Sequence, residues 1–194
     1  MLTKIDFRSF FKKGIKPIDD DFSIQLITGY QGTGKTWYAI YLMEKMKNKK
    51  IITNINSYKS NKHTLEYFKT IDEIYDNHEE SCIFIIDELS KRYTKDSKQD
   101  LEFYSWLQQC RKHKRHVFLI TQEYIQVPQW LRGIATSVYT TKRLFRNVYK
   151  TNYGIPILNK DTFEWDIEIK KSIIYKRTKD ISNKYDTFEQ INSL

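Results

Sequence analysis

Glycine is scarce in this chain of 194 residues, with six in all, and cysteine is scarcer, with two. Cys82 and Cys110 each lie in an apolar setting and form no CxxC or Cys/His spacing, which excludes a disulfide framework and a thiolate metal site. Both are expected as core thiols. No apolar run approaches the ~20 residues that a membrane-spanning helix needs. The first residues, MLTKIDFRSFFKKGIK, lack the apolar centre of a signal peptide, so the expected place of work is the cytoplasm. No internal repeat is visible, and a chain of this length fits one domain, since domains typically run to ~100–200 residues.

What the sequence does contain is an excess of positive charge. Thirty-three Lys and Arg against 24 Asp and Glu give a formal net charge of +9, in a chain that is 40% hydrophobic and 15% aromatic. Those fractions exclude a disordered body. The excess points to an anionic partner, of which nucleic acid is the commonest. Residues 1–21 form a basic, aromatic arm in which Phe7, Phe10 and Phe11 stand beside Lys12, Lys13 and Lys16. It reads as a docking arm, with contact to a membrane surface as the alternative.

The hydrophobic pattern alternates between strand and helix. Residues 22–28 (FSIQLIT) are a short run with a β-branched bias, and residues 37–47 carry apolar side chains at helical spacing with a lysine-rich end. Residues 51–55 (IITNI) predict a second strand, and residues 59–77 a polar stretch with a short helix near 71–75. The continuous apolar run 82–86 (CIFII) is what a strand covered on both faces requires. A helix follows, with Phe103, Trp106, Leu107 and Cys110 on one face and Gln108, Arg111, Lys112 and Arg115 on the other. Residues 117–121 (VFLIT) and 137–141 (SVYTT) predict two more strands. From about residue 145, RNVYKTNYG and FEWDIEIKKSIIYK alternate as exposed strands do, and a polar tail begins near 183. The expectation is an α/β fold: an arm (1–21), a core with a largely parallel five-stranded sheet (22–145), and a small antiparallel appendage with a tail (146–194).

Three of the six glycines, Gly29, Gly32 and Gly34, fall within GYQGTGKT at residues 29–36, which has the pattern G-x-x-x-x-G-K-[ST] of a phosphate loop. Glycines let the backbone bend so that successive N–H groups face phosphate oxygens, and the helix that follows offers the positive end of its dipole. Lys35 adds a full charge for the β and γ phosphates, and the Thr36 hydroxyl completes a Mg²⁺ shell. The nucleotide-binding segment is therefore Gly29, Tyr30, Gln31, Gly32, Thr33, Gly34, Lys35 and Thr36, extended to Trp37 at the opening of the helix, with ATP and Mg²⁺ as cofactors. Asp87, at the end of a buried strand, is the expected metal carboxylate, and Glu88 beside it the general base for the attacking water. Gln122, at the end of the fourth strand, is the expected sensor of the γ phosphate, provided that this strand lies between the first and third. For the transition-state charge a further cation is needed, often from a neighbouring subunit. Arg111, Arg115, Arg132 and Arg143 are candidates, and Arg111 and Arg115 lead because they lie one helical turn apart just before the sensor strand.

GYQGTGKT, IITNI, IFIIDEL, a helix ending QQCRKHKRH, and FLITQ together resemble the zonula occludens toxin-like ATPases of bacterial viruses, members of the FtsK/HerA class of DNA-pumping motors. The resemblance covers roughly residues 22–145, and Lys184-Tyr185-Asp186-Thr187 is similar to a short tyrosine motif that follows the core in such proteins. It implies a P-loop NTPase core of RecA-like (ASCE) type with strand order 5-1-4-3-2. It also implies an ATP site completed between subunits, a ring, commonly a hexamer, around DNA, and a capsid or membrane assembly protein as a further partner. Filamentous-phage members continue into a transmembrane helix and an outer domain; this chain has neither, which favours packaging of a viral genome in the infected cell over extrusion through a membrane. A motor holds the phosphate backbone without reading sequence, so Lys91, Arg92, Tyr93 and Lys95, directly after the catalytic pair, form the expected DNA-facing loop. Two other readings remain open at this stage. One is a monomeric or dimeric DNA-binding ATP switch. The other is a small-molecule kinase, against which Glu88 argues. ATP rather than GTP is what the resemblance implies.

Overall fold

The strands at the centre of the sheet are buried along their whole length because they are covered on both sides. The computed structural model describes residues 21–47 and 49–186. Every residue of β1 (Ser23–Thr28), β4 (Ile83–Ile86) and β5 (His116–Ile120) is buried. Successive side chains alternate between two cores, as strand geometry requires. Leu26, Phe84, Ile86, Val117 and Leu119 pack into one, together with Phe103, Trp106 and Leu107 of α2 (Leu101–Gln108) and Leu131 of α3 (Gln129–Ile134). Ile27, Ile83, Ile85, Phe118 and Ile120 pack into the other, against α1 (Lys35–Lys45), whose Trp37, Tyr38, Ile40 and Met43 are buried. Ile181 of α4 (Lys179–Ser182) joins this second layer.

The sheet has eight strands in the order β3-β2-β4-β5-β1-β6-β7-β8, with β2 (Lys50–Thr53), β3 (Thr64–Tyr67), β6 (Ser137–Phe145), β7 (Val148–Leu158) and β8 (Trp165–Lys176). Pairing is parallel from β3 to β6 across the sheet and antiparallel from β6 to β8. The five expected strands keep the expected order, since β6, β1, β5, β4 and β2 correspond to 5-1-4-3-2.

The strand count differs in two respects. β3 is an edge strand inside the polar stretch, with an exposed, non-alternating sequence, and only its pairing with β2 makes it a strand; the expected helix near 71–75 is a short 3-10 turn, Ile71–Ile74. The antiparallel C-terminal strands are present as expected, and they add to the count of the main sheet. β7 pairs with β6 from Val138↔Gly154 onward and so extends the same sheet. Cys82 and Cys110 are buried and unbridged, and burial pushes the Cys110 thiol up to about 12. The arm of residues 1–20 and the tail from residue 187, including Thr187, lie outside the described residues.

Parallel strands joined by crossover helices put all their C-terminal ends at one edge. Gly29, Asp87 and Gln122 meet there because β1, β4 and β5 are neighbours in the sheet. β5 lies between β1 and β4, the arrangement that the sensor position required.

Candidate functional site

The phosphate loop leaves β1 at Gly29, whose φ is 148°; a Cβ there would come within 2.4 Å of the Thr141 carbonyl oxygen and 2.6 Å of Thr33 Oγ1. Only glycine lets the chain pass so close to β6. The Gly29 N–H donates to the Gln122 carbonyl oxygen (2.6 Å), which ties the start of the loop to the end of β5. Thr141 Oγ1 donates to the Thr28 carbonyl oxygen (3.1 Å) and lies 3.1 Å from Thr33 Oγ1. At Gly34 the backbone is left-handed (φ 83°) and α1 begins. Lys35 Nζ donates to the Tyr30 carbonyl oxygen (3.1 Å); burial pulls its pKa down, against the opposing charges of Asp87 and Glu88.

Asp87 lies just past β4, and 8% of it is exposed. Its Oδ2 accepts from Thr36 Oγ1 (2.8 Å) and its Oδ1 from the Glu88 N–H (2.7 Å). Burial raises its carboxyl above the usual range, and the Thr36 and Glu88 hydrogen bonds and the Lys35 charge oppose that rise. Its backbone is clamped by Asn54, which follows β2: Asn54 Nδ2 donates to the Asp87 carbonyl oxygen (2.9 Å) and Asn54 Oδ1 accepts the Asp87 N–H (2.8 Å). At Glu88 the chain enters the left-handed region (φ 57°), which turns it off the strand, and the Glu88 carboxylate forms an ion pair with Lys91.

A cavity of about 240 Å³ unites these segments. Gln31, Gly32, Gly34, Lys35 and Thr36 line it from the loop, Asp87, Glu88 and Ser90 from the end of β4, and Thr121 and Gln122 from the end of β5. Gly29 and Thr33 shape the loop from behind, and Tyr30 contributes its carbonyl while its ring is exposed. The Trp37 side chain is buried between Tyr41 (5.3 Å) and Tyr175 (5.2 Å), so of the expected nucleotide segment this indole belongs to the core.

The Thr36 hydroxyl and Asp87 carboxylate, in contact at one wall of the cavity, fit a magnesium ion. Mg²⁺ prefers hard oxygen donors, keeps several waters, and takes one or two carboxylates plus substrate phosphates rather than an all-protein cage. A bound Mg²⁺ would neutralise phosphate charge, and Thr36 and Asp87 would hold it.

Several expected residues lie elsewhere. α2 is part of a crossover from β4 to β5 and so returns the chain to the opposite edge of the sheet, which puts Arg111 and Arg115 far from their own phosphate loop. Arg115 is 1% exposed; it donates to the carbonyl oxygens of Glu79 (2.9 Å) and Asn77 and packs on Phe84 and Trp106. It is a brace of the core, not a finger. Arg132 is likewise buried and donates to the carbonyl oxygens of Val127 and Ile125 (both 2.7 Å). Arg111 is exposed over Phe22, and Arg143 is exposed and bonded to the Arg146 carbonyl oxygen (2.8 Å).

The expected DNA loop is corrected in the same way. Tyr93 is 5% exposed, stacks on Phe103 (5.5 Å) and donates to Asp100 Oδ2 (2.6 Å), so its ring is not available to bases. Arg92 is held by Asp72 (2.7 Å) and Asp100 (3.2 Å). Lys95 is exposed, and Lys91 is exposed in its ion pair with Glu88.

The sequence reading missed Ile55, Ser90, Thr121, Arg177, Tyr185 and Asp186 as cavity residues. Lys184-Tyr185-Asp186 was visible as a short motif without a role, whereas nothing local distinguishes Arg177 from the chain's other basic residues.

The zonular occludens toxin (Zot) family model matches residues 23–179. No curated protein matches the chain. Among solved structures, the N-terminal domain of zonular occludens toxin from Neisseria meningitidis is similar at 21% identity and a TM-score of 0.62, covering 84% of this chain and 98% of that one. The genome packaging NTPase B204 of Sulfolobus turreted icosahedral virus 2, in complex with sulfate, is similar at 14% identity and a TM-score of 0.54, covering 78% and 97%. The flagellar accessory protein FlaH of Methanocaldococcus jannaschii is similar at 12% identity and a TM-score of 0.52, covering 91% and 92%. The shared architecture is that of a P-loop NTPase.

Proposed function

The chain belongs to the zonular occludens toxin family, and from that premise we propose that it is an ATP-hydrolysing motor that moves DNA, packaging or exporting a viral genome as a ring of identical chains, with residues 1–194 acting as one ATPase unit. The observation that carries this reading is the meeting of Thr36 and Asp87 at 2.8 Å in a cavity that also holds Lys35, Glu88 and Gln122. That set covers the needs of phosphoryl transfer to water: Lys35 and the loop amides hold phosphate, Thr36 and Asp87 hold Mg²⁺, Glu88 takes the proton of the attacking water, and Gln122 reports on the γ phosphate. Glu88 stands in an ion pair with Lys91, so the base is released when that pair opens.

The formal charge of +9 supports a nucleic-acid partner, as does the packaging role named for the viral structural neighbour. The described residues contain no helix long and apolar enough to cross a membrane. The motor works in the infected cell, free or attached to a capsid or membrane assembly protein.

The test is ATP hydrolysis by the full chain with and without single- and double-stranded DNA, read beside particle mass. DNA-stimulated turnover in a ring-sized particle is expected. Glu88→Gln is expected to bind ATP and to hydrolyse it roughly 10²–10⁴-fold more slowly, the usual contribution of a general base. Full turnover by Glu88→Gln removes that residue from its role, and an ATPase indifferent to DNA refutes the motor.

A further inference from the structure

We propose that Arg177, the residue after β8, is a ligand of the nucleotide's phosphates supplied by the chain to its own site. The proposal rests on the reading of residues 29–36 as a nucleotide loop. Arg177 lines the same cavity as Gly34, Lys35 and Thr36, and among the described residues no other arginine does. It stands directly against the loop: a Cβ placed on Gly34 would lie 3.8 Å from Arg177 Nε and 3.4 Å from the Tyr149 ring.

Its pose is held from three sides. Nη1 donates to Tyr149 Oη (3.2 Å), Nη2 donates to Tyr185 Oη (2.8 Å), and the guanidinium lies 5.1 Å from the centre of the Tyr149 ring and 5.9 Å from that of Trp37. Its backbone N–H donates to the Asn147 carbonyl oxygen (3.0 Å). What this pose omits is an anion. Among the described residues no carboxylate forms an ion pair with Arg177, and its Nε is buried without a hydrogen-bond partner. A buried donor left unpaired is costly, more so on a charged group. A guanidinium fixed by neutral hydroxyls and aromatic faces, with a free N–H next to a phosphate loop, is matched by a phosphate oxygen.

The placement also couples the C-terminal segment to the nucleotide. Tyr185, which holds Nη2, follows Lys184, whose carbonyl oxygen accepts from the Lys59 N–H (2.7 Å), and precedes Asp186, whose N–H donates to Ser57 Oγ (2.8 Å). A phosphate bound at Arg177 therefore tightens a segment laid across residues 54–60.

The test compares the affinity of the full chain for magnesium ATPγS in the unsubstituted protein, Arg177→Gln and Lys35→Ala, at a temperature where circular dichroism shows each to be folded. Arg177→Gln is expected to weaken binding about 10- to 100-fold, as for loss of a charge-assisted hydrogen bond. Affinity within twofold of the parent, with Lys35→Ala strongly weakened, overturns the proposal and leaves the nucleotide reading standing. If the unsubstituted chain binds no ATPγS, both fall together, which is a different result.

A second measurement needs no variant. Phenylglyoxal modification of the unsubstituted chain, mapped by mass spectrometry, is expected to show Arg177 protected by magnesium ATPγS and Arg111 unprotected at the same dilution. Unchanged labelling of Arg177 refutes the contact. Mixing Arg177→Gln chains with Lys35→Ala chains is expected not to restore binding, and restoration would show that Arg177 acts on a neighbour's site instead.

Discussion

Asn54 is the residue on which the Asp87 backbone depends, and its replacement by alanine isolates that dependence. The side-chain amide satisfies both backbone groups of Asp87, at 2.8 and 2.9 Å, and only 2% of Asn54 and 8% of Asp87 are exposed. Asn54→Ala leaves a buried N–H and a buried carbonyl without partners, each costing about 1–3 kcal/mol, so the expected loss is roughly 3–4 kcal/mol once some water reaches the gap. For a chain of this size about 2–4 °C of melting temperature accompanies each kcal/mol, giving a fall of roughly 6–16 °C. Asp87 also presents its carboxylate to Thr36, so a loosened backbone is expected to weaken the magnesium dependence of ATPγS binding more than binding without metal. Asn54→Asp keeps the shape but sets an anionic oxygen against the Asp87 carbonyl, and is expected to be at least as unstable. The assay is urea unfolding without nucleotide, paired with titration of ATPγS with and without Mg²⁺. A loss under about 0.5 kcal/mol, the range of ordinary surface changes, together with unaltered magnesium dependence would falsify the clamp.

Other expectations follow from the misplaced candidates. Arg115→Ala is expected to cost about 3–5 kcal/mol, because two buried carbonyls lose their donor and Phe84 and Trp106 lose a packing partner, while folded protein keeps its nucleotide affinity; Arg111→Ala is expected to leave urea stability within about 0.5 kcal/mol. Tyr93→Phe is expected to lose about 1 kcal/mol with its bond to Asp100 and to bind DNA as the parent does; weaker single-strand binding by a folded Tyr93→Phe protein would return the ring to the DNA surface. Burial alone would raise the Asp100 carboxyl, but hydrogen bonds from the Phe103 N–H, Tyr93 and Arg92 hold it below its usual value. Its contribution to stability is therefore full above the unfolded pKa of about 3.9 and lost as pH falls through the lower folded value; Asp100→Asn is expected to remove that part of the acid limb in urea titrations.

By itself the sequence determined whatever is written in adjacent residues. GYQGTGKT is legible because a phosphate loop is a local bend with a local helix behind it. The strands 82–86 and 117–121 are legible because a strand covered on both faces is mostly apolar, and 22–28 by its β-branched bias directly before the loop. A resemblance carried by those same segments supplied the strand order, and the sheet has it.

Other features were decided only in three dimensions. β3 is exposed and unpatterned, so its identity rests on hydrogen bonds to β2. Arg115, Arg132 and Arg177 are alike on paper: the crossover through α2 takes the first to the far edge, and burial ties the second to the carbonyls of Val127 and Ile125. The antiparallel return of β8 brings the third to Gly34, some 140 residues away in sequence. Tyr93 seemed a surface aromatic because its neighbours are charged, but Asp72 and Asp100 absorb Arg92, and the ring closes over Phe103. Charge and residue type are properties of the sequence, whereas the partner that neutralises a charge, or leaves it open to a phosphate, depends on which distant segments the sheet brings together.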